Sequence, residues 1–368
     1  MTALHSAAQS PSLVDVRQYL ERVGYAELCA SFNPLKPRVE SWSKAVDCLV
    51  DRSLAGIVRL LLLGKPVDKD CLDGTTLAHL EPLVELGIVD DHGSRLQTRG
   101  LVLYVVLGIW LFFDLPCVDP RVYYGDDSFA LLNRLRPAQG GRTLDLCAGP
   151  GVQSLYCARV ARQVVSVEIN PFASSIAIIN REMNGATNWQ VATGDLYDAL
   201  EPGQTFDHIV CNPPLLPFPD DARYPFVGHG GEDGWTIAWR VLDGLPTFLR
   251  AAGRAQLVGT TLGDGVEPII TDRLRAFARN ARMDCHLYVT SHVPLARGTE
   301  YFEGLTWSAA ASENVPIDRV RDRLEAFLAE RDATHLVSHY LQVMHGTGET
   351  KVIDLVTDDA PTGELWYR

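Results

Sequence analysis

The sequence predicts an α/β protein in which a mostly parallel sheet, covered by helices on both faces, follows a smaller helical module. Three observations predict it. From Gly141 onward short apolar strands alternate with amphipathic helices, the pattern of βαβ units. Before that, apolar residues recur at helical spacing between Leu13 and Leu86. Between the two, Ile88 to Gln97 pairs extended pieces around a polar turn, which reads as a hairpin. With 368 residues, 46% of them hydrophobic, the chain can bury a core in each part.

Residues 1–12 are small and polar and read as a disordered lead. A helical, winged-helix-like domain is expected over 13–113. Val14, Val16, Tyr19, Leu20 and Val23 recur on one face and stop at Gly24, a helix-ending glycine. Segment 40–64 repeats the pattern through Trp42, Val46, Leu49, Leu54, Ile57, Val58 and Leu61, and ends at Gly64 with Pro66 behind it. A third helix is expected over 76–86, with Pro82 kinking it or marking its first turn. Helix, helix, helix, hairpin is the order of a winged-helix module. The third helix carries only Glu81 and Glu85 as charges, so a structural cap or dimerisation surface is favoured over a groove reader. Leu101 to Phe113 is the most apolar run. It is too short to cross about 30 Å of hydrocarbon as a helix and reads as a buried strand or helix.

Residues 114–140 form a connector with a short helix over 128–135, capped by Asp127 or Ser128. Just before it, Tyr123 and Tyr124 could overhang the next domain's pocket. The domain from 141 to 368 opens with a strand, Thr143 to Leu146, which runs into a turn bearing Cys147, Gly149 and Gly151. A helix over 152–160, a strand Gln163 to Glu168 and a helix over 172–184 follow, then a strand from Trp189 to Asp195. The strand Phe206 to Cys211 leads straight into Asn212, Pro213 and Pro214. Beyond it a strand at 255–260, a helix near 266–281, a strand at 285–290, helices over 317–330 and 334–345, and a last strand at 351–356 are expected. Val320, Leu324, Phe327 and Leu328 give helix 317–330 an apolar face suited to packing or to a homodimer interface.

The net charge of −13 argues against a protein that lives on phosphate backbones. Eight cysteines, at 29, 48, 71, 117, 147, 157, 211 and 285, form no CxxC pair and no zinc-like spacing. Free thiols in a reducing compartment, and no metal, are therefore expected. No basic stretch followed by an apolar core opens the chain, so the reading is a cytoplasmic protein away from the membrane.

The chemistry gathers at strand ends. Glycines at 149 and 151 let backbone approach a ligand, and Asp145 is expected to point into the crevice. Glu168 closes the second strand, where a carboxylate accepts both hydrogens of a ribose diol, and Asp195 could accept from an adenine amino group. These features alone fit a nicotinamide, a flavin or an adenosyl-sulfonium cofactor. Two prolines hold Asn212 extended, so its side-chain oxygen and the Pro213 carbonyl become two rigid acceptors for an N–H donor.

In this order, the stretch from about Gly141 to Gly253 resembles a class I S-adenosylmethionine-dependent N-methyltransferase with an Asn-Pro-Pro-[Tyr/Phe/Leu] motif. Gly230 to Trp235 and the run to Gly253 are similar to the release-factor glutamine and "small-domain" methyltransferases. The resemblance implies a Rossmann-like seven-stranded methyltransferase sheet with an antiparallel edge. It implies S-adenosyl-L-methionine as cofactor, leaving as S-adenosyl-L-homocysteine, and a cofactor set of Asp145, Cys147, Gly149, Gly151, Glu168, Asp195, Leu196 and Asn212. The catalytic set is Asn212, Pro213, Pro214 and Leu215. Cys147 departs from the family's first glycine. Leu215 stands where Tyr or Phe is usual, and a leucine cannot stack on a flipped base.

Tyr124, Glu232, Asp233, Glu300 and Glu303 are the expected substrate contacts, and carboxylates in the pocket would favour a cationic acceptor. The function expected is methyl transfer to a guanidine or amide nitrogen of an amino-acid-like acceptor, either a free arginine-like molecule or glutamine in a protein. One alternative is a ribosomal RNA base N-methyltransferase. The other is a non-catalytic binding protein on a methyltransferase fold, against which the retained set of site residues argues.

Overall fold

The computed structural model describes residues 11–31, 39–356 and 365–366. The chain divides into two compact units, Met1–Pro116 with Ile176–Thr187, and Cys117–Ser175 with Asn188–Arg368.

In the first unit, helix α1 (Leu13–Arg22) starts with a capping box in which Ser12 and Asp15 satisfy each other's backbone N–H. A short helix α2 (Tyr25–Ala30), unmarked by any long periodicity, follows it. Segment 40–64 resolves into α3 (Val39–Val46) and α4 (Arg52–Leu61), separated because Asp51 caps the second by accepting from the Leu54 N–H at 3.1 Å. Strand β1 (Val67–Asp68) precedes α5 (Gly74–Glu85), which Asp73 caps; Pro82 lies well past its first turn. The expected hairpin is β2 (Val89–Asp91) and β3 (Arg95–Thr98), and β1 joins it to give the order β1-β3-β2.

The apolar run is neither one strand nor one helix. It folds as two antiparallel strands, β4 (Leu101–Val106) and β5 (Ile109–Asp114), with all twelve residues buried. The turn is Leu107-Gly108, with φ of 50° and 71°, the left-handed pair that a two-residue hairpin needs. Helix α8 (Pro171–Asn184) meets β5 through two side-chain amides. Asn180 accepts from the Phe112 N–H (2.7 Å) and donates to its carbonyl (3.0 Å), and Asn184 does the same with Trp110 (3.0 and 2.7 Å). Four helical residues rise about 6 Å and two strand residues about 6.8 Å. The two amides can therefore stand in for a neighbouring strand.

The second unit begins with α6 (Asp126–Arg134), whose N-cap is Gly125; Asp127 and Ser128, expected as caps, lie inside its first turn. Its sheet uses β6 (Arg142–Leu146), β7 (Gln163–Glu168), β8 (Trp189–Thr193), β9 (Phe206–Cys211), β10 (Leu249–Gly263), β11 (Met283–Pro294), β12 (His335–His345) and β13 (Thr350–Asp354). Helices α7 (Val152–Ala158), α9 (Thr236–Phe248), α10 (Thr271–Ala281), α11 (Glu300–Glu313) and α12 (Ile317–Ala329) complete it. The strand order is β13-β11-β12-β10-β9-β6-β7-β8. The seven expected strands are β6 to β11 and β13, the last parallel to β11, and β12 is an unexpected eighth.

Residues 334–345 correct the helix expected there. Residues 335–345 form β12, antiparallel to both β10 and β11, so the antiparallel strand lies inside the sheet. Leu336 to Leu341 are buried without a break. A strand covered on both faces loses its alternation, and its pattern then imitates a buried helix. Helix α11 was likewise not expected. The chain runs β6, β7, β8 outward in one direction and returns to β9 on the other side of β6. That reversal opens a crevice at the carboxyl ends of β6 and β9, where the loops carrying Cys147 and Asn212 meet.

Candidate active site

A cavity occupies this crevice. The loop after β6 forms its floor, with Cys147 and Gly149 in the left-handed region at φ of 55° and 53°. Gly149 borders the cavity, and a Cβ there would meet nothing closer than the Tyr123 carbonyl at 3.7 Å. Gly151 (φ 85°) does not line the cavity; a Cβ there would lie 2.1 Å from the ring of Trp189. Its missing side chain makes room for packing.

Glu168, at the end of β7, lines the cavity and is held at both oxygens. One accepts from the Gly149 N–H and the other from the Asn170 N–H, each at 2.8 Å. Burial nevertheless pushes its carboxyl pKa up. Asp195 and Leu196 line the far wall, with Asp195 paired to Arg240 at 2.9 Å. Asp145 lies beneath the loop rather than in the crevice. It is fully buried, accepts from the Ser154 hydroxyl at 2.6 Å, and has its pKa raised by burial to about 7. Its bond ties β6 to the start of α7.

Asn212 borders the cavity directly after β9. Its Nδ2 donates to Asp127 Oδ2 (2.8 Å) and Ser128 Oγ (3.2 Å). Its Oδ1 is shielded from solvent and has no hydrogen-bond partner among the described residues. The other oxygen of Asp127 accepts from the Tyr123 hydroxyl at 2.8 Å. Burial raises the Asp127 pKa, and the bonds from Asn212 and Tyr123 oppose the rise. Pro214 lines the cavity, whereas Pro213 borders a small void beside Trp235, Gly259 and His339. Leu215 is buried, and its carbonyl accepts from the Thr260 hydroxyl.

None of the expected substrate contacts lines the cavity. Tyr124 is buried, and its neighbour Tyr123 reaches the wall instead. Glu232 pairs with Arg331 (2.6 Å), and Glu303 with Arg321. Asp233 accepts from the Trp235 N–H (2.8 Å) and the Trp239 ring N–H (2.9 Å), and Glu300 opens α11. The walls are instead largely apolar, from Val167, Ile169, Leu196, Ile237, Val227 and the exposed ring of Phe226. Sequence reasoning missed Phe226, because one aromatic in a proline-rich loop belongs to no periodicity. Asp127 reads from its local sequence as a helix cap, because its partner lies 85 residues further on.

The model of the methyltransferase small domain matches residues 125–280. A protein of Methanocaldococcus jannaschii, provisionally named a protein N5-glutamine methyltransferase, is 33% identical over 158 residues, covering 41% of this chain and 79% of its own. The ribosomal protein uL3 glutamine methyltransferase of Bordetella pertussis is 29% identical over 214 residues, or 53% of this chain and 72% of its own. A release factor glutamine methyltransferase of Xylella fastidiosa is 33% identical over 132 residues, 33% of this chain and 48% of its own. The chain belongs to the methyltransferase small-domain family of S-adenosylmethionine-dependent N-methyltransferases.

Proposed function

We propose that this enzyme methylates the side-chain amide nitrogen of glutamine in a protein acceptor, with S-adenosyl-L-methionine as donor. The observation that carries the reading is the solvent-shielded, unpartnered Oδ1 of Asn212 at the edge of a largely apolar cavity. A buried acceptor without a partner costs about 1–3 kcal/mol, which an incoming N–H would remove. The cavity's carboxylates are Glu168 and the Arg240-paired Asp195, so a neutral amide suits it better than a guanidinium. The named relatives, which act on release factors and uL3, support a protein acceptor.

The cofactor supplies an electrophilic methyl group on a sulfonium. Glu168 stands where a carboxylate accepts from ribose hydroxyls, and Val167, Ile169 and Leu196 offer apolar walls for a purine. Asn212 Oδ1 accepts an amide hydrogen, which orients the nitrogen lone pair toward the methyl donor and favours pyramidal nitrogen. The bound cofactor would give its methyl group to that nitrogen and keep the C–S bonding pair on its sulfur. That acceptor oxygen stabilises the positive charge appearing on nitrogen, and the surplus proton then passes to water. Phe226 provides the flat apolar surface that Leu215 does not.

The test uses tritium-labelled S-adenosylmethionine with glutamine-bearing release-factor and uL3 peptides, an arginine series, and unmodified ribosomal RNA. The expected result is label on glutamine, lost by roughly 10²–10³-fold in Asn212→Ala while cofactor binding survives. Label on arginine or RNA in place of glutamine would sink the reading.

A further inference from the structure

A carboxamide has two ends of opposite use, since its oxygen accepts and its nitrogen donates. The ends are nearly the same size, so sterics alone do not decide which one meets an acceptor substrate. At Asn212 the neighbours decide. Nδ2 faces Asp127 Oδ2 at 2.8 Å and Ser128 Oγ at 3.2 Å. Both Asp127 oxygens act as acceptors, one from the Tyr123 hydroxyl and one from Nδ2, so the amide is held with its NH₂ toward Asp127 and Oδ1 is left for the substrate. Ser128, able to donate or accept, could not enforce this alone.

Asp127 is itself fixed. Its second oxygen is held by Tyr123, its side chain is buried, and it sits in the first turn of α6, where the helix N-terminus favours negative charge. Asp126 is its acidic neighbour on the same turn. Asp127 stands behind the cavity wall, which its partners Asn212, Ser128 and Tyr123 line.

We propose that Asp127 is a positioning residue for methyl transfer: it locks the Asn212 amide with Oδ1 toward the acceptor nitrogen. This rests on Asn212 gripping the acceptor, and deepens that reading. Asp127→Asn keeps the volume but can both donate and accept, so it releases the lock. The expected result is a fall in kcat of roughly 10²-fold, with acceptor KM and cofactor Kd moving less than about 3-fold. Tyr123→Phe keeps the bond between Asp127 and Asn212 and loses less. In an Asn212→Ala background, Asp127→Asn lowers kcat no further, because the effect runs through the amide. An equal loss in both backgrounds overturns the proposal.

A readout that needs no turnover separates this from the choice of substrate. In ¹⁵N-labelled enzyme, the side-chain NH₂ pair that vanishes in Asn212→Ala should exchange slowly with water, and quickly in Asp127→Asn. Fast exchange in the unaltered enzyme overturns the lock whatever the acceptor is. Slow exchange together with no label on glutamine keeps the lock and removes the glutamine reading.

Discussion

Replacing Gly151 with alanine should damage the fold far more than the cofactor site, and replacing Gly149 should do the reverse. Both glycines have positive φ, so each alanine carries left-handed strain of about 1 kcal/mol. The difference lies in what the new Cβ meets. At Gly151 it falls 2.1 and 2.6 Å from ring atoms of Trp189, a fully buried side chain whose ring N–H donates to Ser166 at 2.8 Å. That ring cannot swing aside without losing its bond, and overpacking of this kind costs about 1–3 kcal/mol. Together these give about 3 kcal/mol, or a drop in melting temperature of roughly 6–12 °C at ~2–4 °C per kcal/mol. At Gly149 the strain stands alone, for roughly 2–4 °C, but the methyl group borders the cavity. Scanning calorimetry and titration with S-adenosylmethionine on both variants would decide. A Gly151→Ala protein that melts like its parent but binds no cofactor would refute the packing argument.

Two further outcomes concern pH. Burial depresses His208 to about 4 and His339 to about 3, below the ordinary 6.5, so the unfolded chain binds more protons at mildly acid pH. The stability due to both is therefore complete above about pH 6.5 and lost as pH falls toward 4. Urea titrations should show the unaltered protein losing ground to His339→Gln over that window, and a constant difference would count against neutral burial. Asp145 works in the opposite sense. Its pKa is raised from 3.8 to about 7, so its ionisation penalises the fold as pH climbs through that interval, by up to roughly 4 kcal/mol. Asp145→Asn should gain on the parent between pH 4 and 8, and a gap that does not widen would contradict this.

Much of the crevice was legible because its parts are local. Strands Gln163–Glu168 and Phe206–Cys211 stand where alternation and the following acid or prolines put them, and so the positions of Glu168 and Asn212 at strand ends followed. What stayed hidden depends on distant partners. Glu232 reads as a pocket acid until Arg331, 99 residues away, claims it. Gly151 reads as a place for ligand approach until Trp189 fills the space beside it. The interior strand β12 hides for a different reason: burial on both faces erases the two-residue rhythm that identifies a strand.

The pairing of Asn180 and Asn184 with β5 bears on what that strand's edge offers to another chain. The β4–β5 hairpin is twelve buried residues with a single charge, Asp114, and no proline, the composition from which intermolecular β-stacks grow. Edge strands of that kind are commonly guarded by lysines or prolines. Here two helix-borne amides occupy the backbone groups of Trp110 and Phe112 that another molecule's strand would otherwise use. The guard forms only once α8 has folded, although the β5 residues it covers leave the ribosome 68 and 74 residues earlier. During synthesis the hairpin is thus exposed for several seconds at typical elongation rates of about 5–20 residues per second, a window in which a chaperone has something to hold.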